Sequence, residues 1–183
     1  MKKLLLSAAT MLALTTTAQA EIVTFEYDFM PIYSTTGNNT ASSQAFTLAF
    51  KVNDKLRAGV MHESMDLTVK NGGASTTGNV QIDALNLEFT ALNTEVANVK
   101  VPTIIGINLG TANLNTPIVA GAATIAASTE MLSDIYVKTL YSAGDSAYIS
   151  AKLGYRMLPL ADATGSFDTT NGLFMKIGVG VSF

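Results

Sequence analysis

The last eleven residues, Leu173-Phe174-Met175-Lys176-Ile177-Gly178-Val179-Gly180-Val181-Ser182-Phe183, decide how the rest of the chain reads. Leu173, Met175, Ile177, Val179, Val181 and Phe183 share one phase of a two-residue period, and Lys176, Gly178, Gly180 and Ser182 share the other. Successive side chains of a strand point to opposite faces, so this segment reads as a strand with one apolar and one polar face. The rhythm recurs upstream at 22–32, 45–52, 56–69, 80–91, 98–111, 131–142 and 147–158, which makes eight candidate strands. In the first, Val23, Phe25, Tyr27 and Phe29 alternate with Thr24, Glu26 and Asp28. In the seventh, Ile149, Ala151, Leu153 and Tyr155 alternate with Ser150, Lys152 and Arg156.

Composition narrows what such a set of strands can build. Of 183 residues, 48% are hydrophobic and 14% charged, and the mean hydropathy is +0.32. A chain this apolar is a poor candidate for disorder. Outside the first twenty residues, no run approaches the ~18–20 apolar residues of a membrane-spanning helix. A transmembrane β-barrel reconciles the two facts. The gaps between strands support it: 33–44, 70–79, 112–130 and 159–171 span 12, 10, 19 and 13 residues, whereas 53–55, 92–97 and 143–146 span 3, 6 and 4. Long and short connections alternate, as do the extracellular loops and periplasmic turns of outer-membrane barrels. The stretch from Ala120 to Glu130 reads either as a short helix or as an extension of the sixth strand.

The N-terminus reads as an export signal. Lys2 and Lys3 precede an apolar stretch from Leu4 to Leu14, and Ala18-Gln19-Ala20 supplies a small-residue cleavage site. The expected organisation is a signal peptide at 1–20 and a barrel domain at 21–183. The mature part then carries 9 basic and 14 acidic side chains, a net charge of −5. That balance argues against nucleic acid as a partner. With no cysteine, disulfides and thiol chemistry are excluded.

The charges sit almost entirely in the polar phase. Glu26, Asp28, Glu63, Glu88 and Asp134 fall there, together with Lys51, Arg57, Lys100, Lys138, Lys152, Arg156 and Lys176. A soluble two-sheet sandwich also alternates, but its charged phase faces water and its apolar phase shares one core. Repeated glycines among the charges (Gly59, Gly106, Gly154, Gly178, Gly180) suit a crowded barrel interior better than a solvated face. The fold expected is therefore an all-β, eight-stranded, antiparallel up-and-down transmembrane barrel. Its lumen would be filled by ion pairs among Glu26, Asp28, Lys51, Arg57, Glu88, Lys100, Lys138, Lys152, Arg156 and Lys176. Because closure sets the first strand between the second and the eighth, Glu26 and Asp28 are expected near Lys51 and Lys176. Five acidic and seven basic groups would leave about two positive charges unmatched.

In this pattern the chain resembles the small eight-stranded outer-membrane barrels, the group that includes the OmpA membrane domain, OmpX and OmpW. The closest likeness is the final strand, where Val179, Val181 and the terminal Phe183 look like the signal that the group's assembly machinery recognises. The resemblance implies a Gram-negative outer-membrane, cell-envelope location and contact with outer-membrane lipid and lipopolysaccharide. It also implies a structural or surface-interaction role through the loops, with a host surface or phage as possible partners. A narrow pore or hydrophobic-solute conduit of the OmpW kind is the alternative. No periplasmic domain is expected beyond Phe183.

No catalytic residue, metal ligand set or cofactor motif is assigned. His62, the only histidine, sits in His62-Glu63-Ser64. On a strand His62 and Ser64 share a face, but Glu63 points away, so the three cannot converge as a nucleophilic site. The lipid A deacylase barrels carry an Asn after their Ser, where this chain has Met65. The chain is read as a non-enzyme.

Overall fold

A computed structural model describes residues 23–33, 40–96, 99–143, 146–160 and 171–183. The expected signal segment 1–20 lies outside these residues. Ten strands follow in order: β1 (Val23–Tyr33), β2 (Thr40–Lys51), β3 (Leu56–Asn71), β4 (Ala74–Val96), β5 (Val99–Leu114), β6 (Ile118–Ala120), β7 (Ala123–Ile125), β8 (Ser128–Ser142), β9 (Ala147–Met157) and β10 (Gly172–Ser182). Eight of them close a barrel in the order β1-β10-β9-β8-β5-β4-β3-β2, and β6 pairs with β7 in a separate hairpin. Every barrel pair is antiparallel. At the seam, Val23 N–H donates to Phe183 O at 3.1 Å and Phe183 N–H donates to Val23 O at 2.9 Å. Closure leaves no strand edge unpaired around the wall, which is the condition for spanning a bilayer with strands.

The strands run further than the hydropathy pattern indicates. The ten-residue gap expected at 70–79 is instead a two-residue turn, with Asn71 opposite Ala74. Gly72 (φ 57°) and Gly73 (φ 86°) occupy the left-handed region that a tight hairpin turn requires at both central positions. Residues 112–130 form neither a helix nor a plain strand extension. β5 continues to Leu114, β8 begins at Ser128, and the hairpin β6–β7 lies between them, turning at Gly121 (φ 60°). Sequence alternation hid these extensions because the meaning of the two phases reverses towards the loop end of the barrel.

That reversal is visible row by row on the outer face. Leu48, Val60, Leu85 and Leu109 stand side by side in register on β2 to β5 and form part of an apolar belt. One row higher come Phe46, His62, Asp83, Thr111 and Met131. The next row is polar on five strands: Gln44, Ser64, Gln81, Asn113 and Thr129. Within the barrel the order inverts. Met65, Leu67, Val69, Val80, Ile82, Ala112, Leu114 and Leu132 form a buried apolar cluster at the loop end. The β6–β7 hairpin closes over it with Ile118, Ala120 and Ile125, joined by Leu158 and Leu160. Gly78 leaves the space that the Ile118 side chain fills, and Thr76 Oγ1 donates to Val119 O at 2.6 Å. Beneath this cap the lumen is polar, down to a small apolar cluster of Ile104, Leu140 and Tyr148 towards the opposite end.

Candidate functional site: the charged interior

The polar half of the lumen is built from two linked clusters. The first centres on Arg156, which has no exposed surface. Its Nε donates to Asp134 Oδ1 at 2.7 Å and its Nη2 to Asp134 Oδ2 at 2.8 Å. Towards the opposite wall, Nη2 meets Glu63 Oε2 at 2.8 Å and Nη1 meets Glu63 Oε1 at 3.0 Å. Lys176 Nζ also bonds Glu63 Oε2, at 2.7 Å, and Ser43 Oγ donates to Glu63 Oε1. The guanidinium lies near the rings of Tyr33 (5.4 Å) and Phe174 (5.6 Å), a contact suited to its planar, weakly hydrated cation.

The second cluster centres on Lys138 and Lys152. Lys138 bonds Glu88 and, at 3.1 Å, Glu26. Lys152 bonds Glu26 at 2.9 Å and Asp28 at 2.7 Å. Ser150 and Tyr148 donate to Glu26 at 2.7 and 3.2 Å, and Tyr136 donates to Glu88 at 2.9 Å. Asn86 donates to Tyr136 and to Asn108, and Asn108 donates to Asp134, so one hydrogen-bonded chain joins the clusters.

Register explains why the carboxylates are needed. Lys138 stands directly opposite Lys152, and Lys152 directly opposite Lys176, forming a row of three lysines across β8, β9 and β10. Like charges in facing positions repel. Glu26 and Asp28 from β1, Glu63 from β3 and Glu88 from β4 reach across the lumen to neutralise that row. Room for the crossing comes from glycine. On β10, Gly180 faces Glu26 and Gly178 faces Asp28, and a Cβ on Gly178 would collide with Asp28 Oδ1 and Ser150 Oγ. Gly106, Gly154 and Gly180 similarly make space for Tyr136, Phe174 and Tyr148.

The structure therefore pairs several of the expected residues differently. Glu26 meets Lys138 and Lys152, and Asp28 meets Lys152, over the intervening β10, not Lys51 and Lys176 on the neighbouring strands. The reason is the glycine pair on β10, which lets both acids pass over that strand to β9, and the narrowness of an eight-stranded lumen, which brings β8 within reach of Glu26 as well. Lys51 instead pairs with Asp54 at 2.9 Å in the β2–β3 turn. There the lysine's hydrogen bond, and then its charge, hold the exposed Asp54 carboxyl below its usual range. Arg57 is half-buried at the same end and makes no ion pair with Glu88, its register neighbour, which Lys138 occupies. Lys100 stands opposite Glu95 near the tip of the β4–β5 hairpin, and its side chain lies outside the described ones. Among the described residues, five buried carboxylates face four buried cations, so acids outnumber bases there, not the reverse. Glu63 and Asp134 prove central, though phase alone gave them no special weight. Asp134 was findable from the direct pairing of its strand with that of Arg156.

His62 lies on the outer face. Its Nδ1 contacts Asp83 Oδ1 at 2.7 Å, an acid from the neighbouring strand rather than the adjacent Glu63. Ser64 Oγ accepts hydrogen bonds from Asn79 (2.9 Å) and Gln81 (3.1 Å), not from His62. At the C-terminus, Val179 is partly exposed on the outer face and Phe183 is 74% exposed beside the seam.

No protein-family model matches the chain, and no curated protein matches it. Solved structures do. The N-terminal β-barrel domain of Pseudomonas aeruginosa OprF is similar with a TM-score of 0.56 at 12% identity, over 88% of this chain and 97% of that one. Neisserial surface protein A is similar with a TM-score of 0.53 at 13% identity, over 88% of this chain and 94% of that one. The chain thus has the fold of the small eight-stranded outer-membrane barrels.

Proposed function

We propose that the mature chain is an outer-membrane barrel with a structural or surface-interaction role, exported by the signal at 1–20 and closed to solute flow. The observation that carries the closure is the interior itself. Arg156, Lys138, Lys152 and Lys176 are buried and bonded to carboxylates of strands two to four places away round the barrel, and the β6–β7 hairpin covers the apolar cluster above them. An eight-stranded barrel is just wide enough to be filled by side chains. The apolar belt of Leu85, Leu87, Ile105, Leu109, Ile135 and Val137 on the outer face supports residence in lipid. We assign no catalytic step, metal or cofactor. The ends carrying β6–β7 and the long connections are read as extracellular, where lipopolysaccharide, a host surface or a phage meets the protein. Phe183, Val181 and Val179 are read as the assembly signal.

An OmpW-like conduit needs an apolar lumen with a lateral opening. Here the apolar part of the lumen is packed with its own side chains, and the wall is hydrogen-bonded all round. Planar-bilayer recording of the refolded protein tests the reading. Insertion without steady conductance supports a closed barrel, and a stable open channel refutes it.

A further inference from the structure

The second lumen cluster sets three carboxylates against two ammonium groups. Glu26, Asp28 and Glu88 share Lys138 and Lys152, whereas in the first cluster Glu63 and Asp134 have Arg156 and Lys176. The three acids are unequally served. Glu26 accepts bonds from Lys138, Lys152, Ser150 and Tyr148. Glu88 takes Lys138 and Tyr136, and stands in register with the half-buried Arg57. Asp28 takes Lys152 alone, at Oδ2. Its Oδ1 has no hydrogen-bond partner among the described residues, although Asp28 is only 2% exposed.

We propose that Asp28 is a proton-binding site: in the folded barrel it is a neutral carboxylic acid with the proton on Oδ1. The inference goes beyond the closed lumen but rests on it, since an open channel would hydrate the carboxylate. Lys152 serves both Glu26 and Asp28, and two carboxylates against one ammonium in a space closed to water are costly to ionise together. The surroundings of Oδ1 accept rather than donate. A Cβ on Gly178 would stand 2.5 Å from Asp28 Oδ1, 2.6 Å from Ser150 Oγ and 3.1 Å from Tyr27 O, so the three oxygens line one space. Ser150 gives its proton to Glu26 Oε1 at 2.7 Å, which leaves lone pairs for that space. An anionic Oδ1 there faces other oxygens, whereas an O–H has acceptors beside it. Among the described residues no further cation is placed to serve it. On β10 its register partner is Gly178, and Lys176 is bonded to Glu63 of β3. On β8 Lys138 is held between Glu26 and Glu88, and on β9 the Tyr148 hydroxyl donates to Glu26. On β2 the register partner is Ala45, and Lys51 lies six residues on, about 20 Å along the strand. Asp28 shares the row of Glu63 on β3, again six residues from Arg57.

Infrared spectra of the barrel refolded in light and in heavy water, at neutral pH, read the proton directly. The expected result is a carboxylic-acid carbonyl band that shifts in heavy water and is lost in Asp28→Asn. Urea unfolding in phospholipid vesicles gives a second measure. A free aspartate loses its proton near pH ~3.9, so above that the folded form holds one proton more than the unfolded chain. Stability therefore falls as pH rises. From about pH 5 to about pH 7 the unfolding constant of the parent, relative to Asp28→Asn, should climb about tenfold per pH unit. A ratio that stays constant over that range overturns the proposal, because Asp28 is then ionised in both states. So does the absence of the band, or a band that Asp28→Asn leaves in place. Stability that instead depends on sodium, when choline replaces it at equal ionic strength, overturns it in favour of a bound metal ion. Failure of Asp28→Asn to fold also overturns it, since the amide is a neutral group of the same shape. Steady conductance in a planar bilayer would instead refute the closed lumen on which the proposal stands.

Discussion

Replacing Arg156 with methionine keeps much of the side-chain volume and removes the charge around which the first lumen cluster is organised. Asp134 then loses both guanidinium bonds and retains only the Asn108 amide at 3.1 Å. Glu63 is better protected, since Lys176 at 2.7 Å and the Ser43 hydroxyl remain. The dominant cost is thus one stranded carboxylate with no exposed route to water, for which removal of a buried partner costs about 3–5 kcal/mol. The two Asp134 bonds, at ~1.5–3 kcal/mol each for charge-assisted pairs, give a consistent figure. Arg156→Lys keeps the charge but not the fork that spans both acids, so about 1.5–3 kcal/mol is expected. Adding Asp134→Asn to Arg156→Met removes the stranded charge and should return the protein to within ~2 kcal/mol of the parent. Urea unfolding in phospholipid vesicles, read by the gel-mobility difference between folded and unfolded barrel, supplies the values by linear extrapolation. A loss below about 1 kcal/mol for Arg156→Met, or effects of the two substitutions that add within ~0.5 kcal/mol, would refute the reasoning.

Three further outcomes are expected. Gly106→Ala sets a Cβ into the Tyr136 ring, which must leave its bonds to Glu88 and Asn86, and should cost about 1–3 kcal/mol in the same unfolding assay. Ile118→Ala empties the site that Gly78 leaves open, at a cost of about 2–5 kcal/mol; limited proteolysis should then cut within 115–127, and unchanged resistance would show that the hairpin is held by other contacts. Deleting Phe183 removes both seam bonds to Val23 and should lower the amount of folded protein recovered in the outer membrane more than Val179→Ile does; equal recovery would count against the assembly signal.

Sequence alone determined the architecture, because a period of two needs no knowledge of partners. Val179, Val181 and Phe183 against Gly178, Gly180 and Ser182 fix a two-faced strand whatever it pairs with, and eight such segments with their charges in one phase leave little but a closed barrel. Phase also assigned Glu26, Lys138, Lys152 and Arg156 to one face, which depends only on counting. What it could not assign was partnership or height. Phase fixes the face a side chain points to, but not which far-wall residue meets it, since that depends on barrel closure and strand stagger. Hence Lys176 belongs to Glu63 and not to Glu26, and Lys51 to the turn at Asp54. Nor does phase record where the outside stops being lipid. Beyond His62 and Asp83 the polar residues that ordinarily mark a loop continue as strand, because the neighbouring strand satisfies their backbone groups and Met65, Leu67 and Val69 find an apolar core inside. A backbone needs hydrogen-bond partners to stay extended, not an apolar face, and tertiary structure alone supplies those partners.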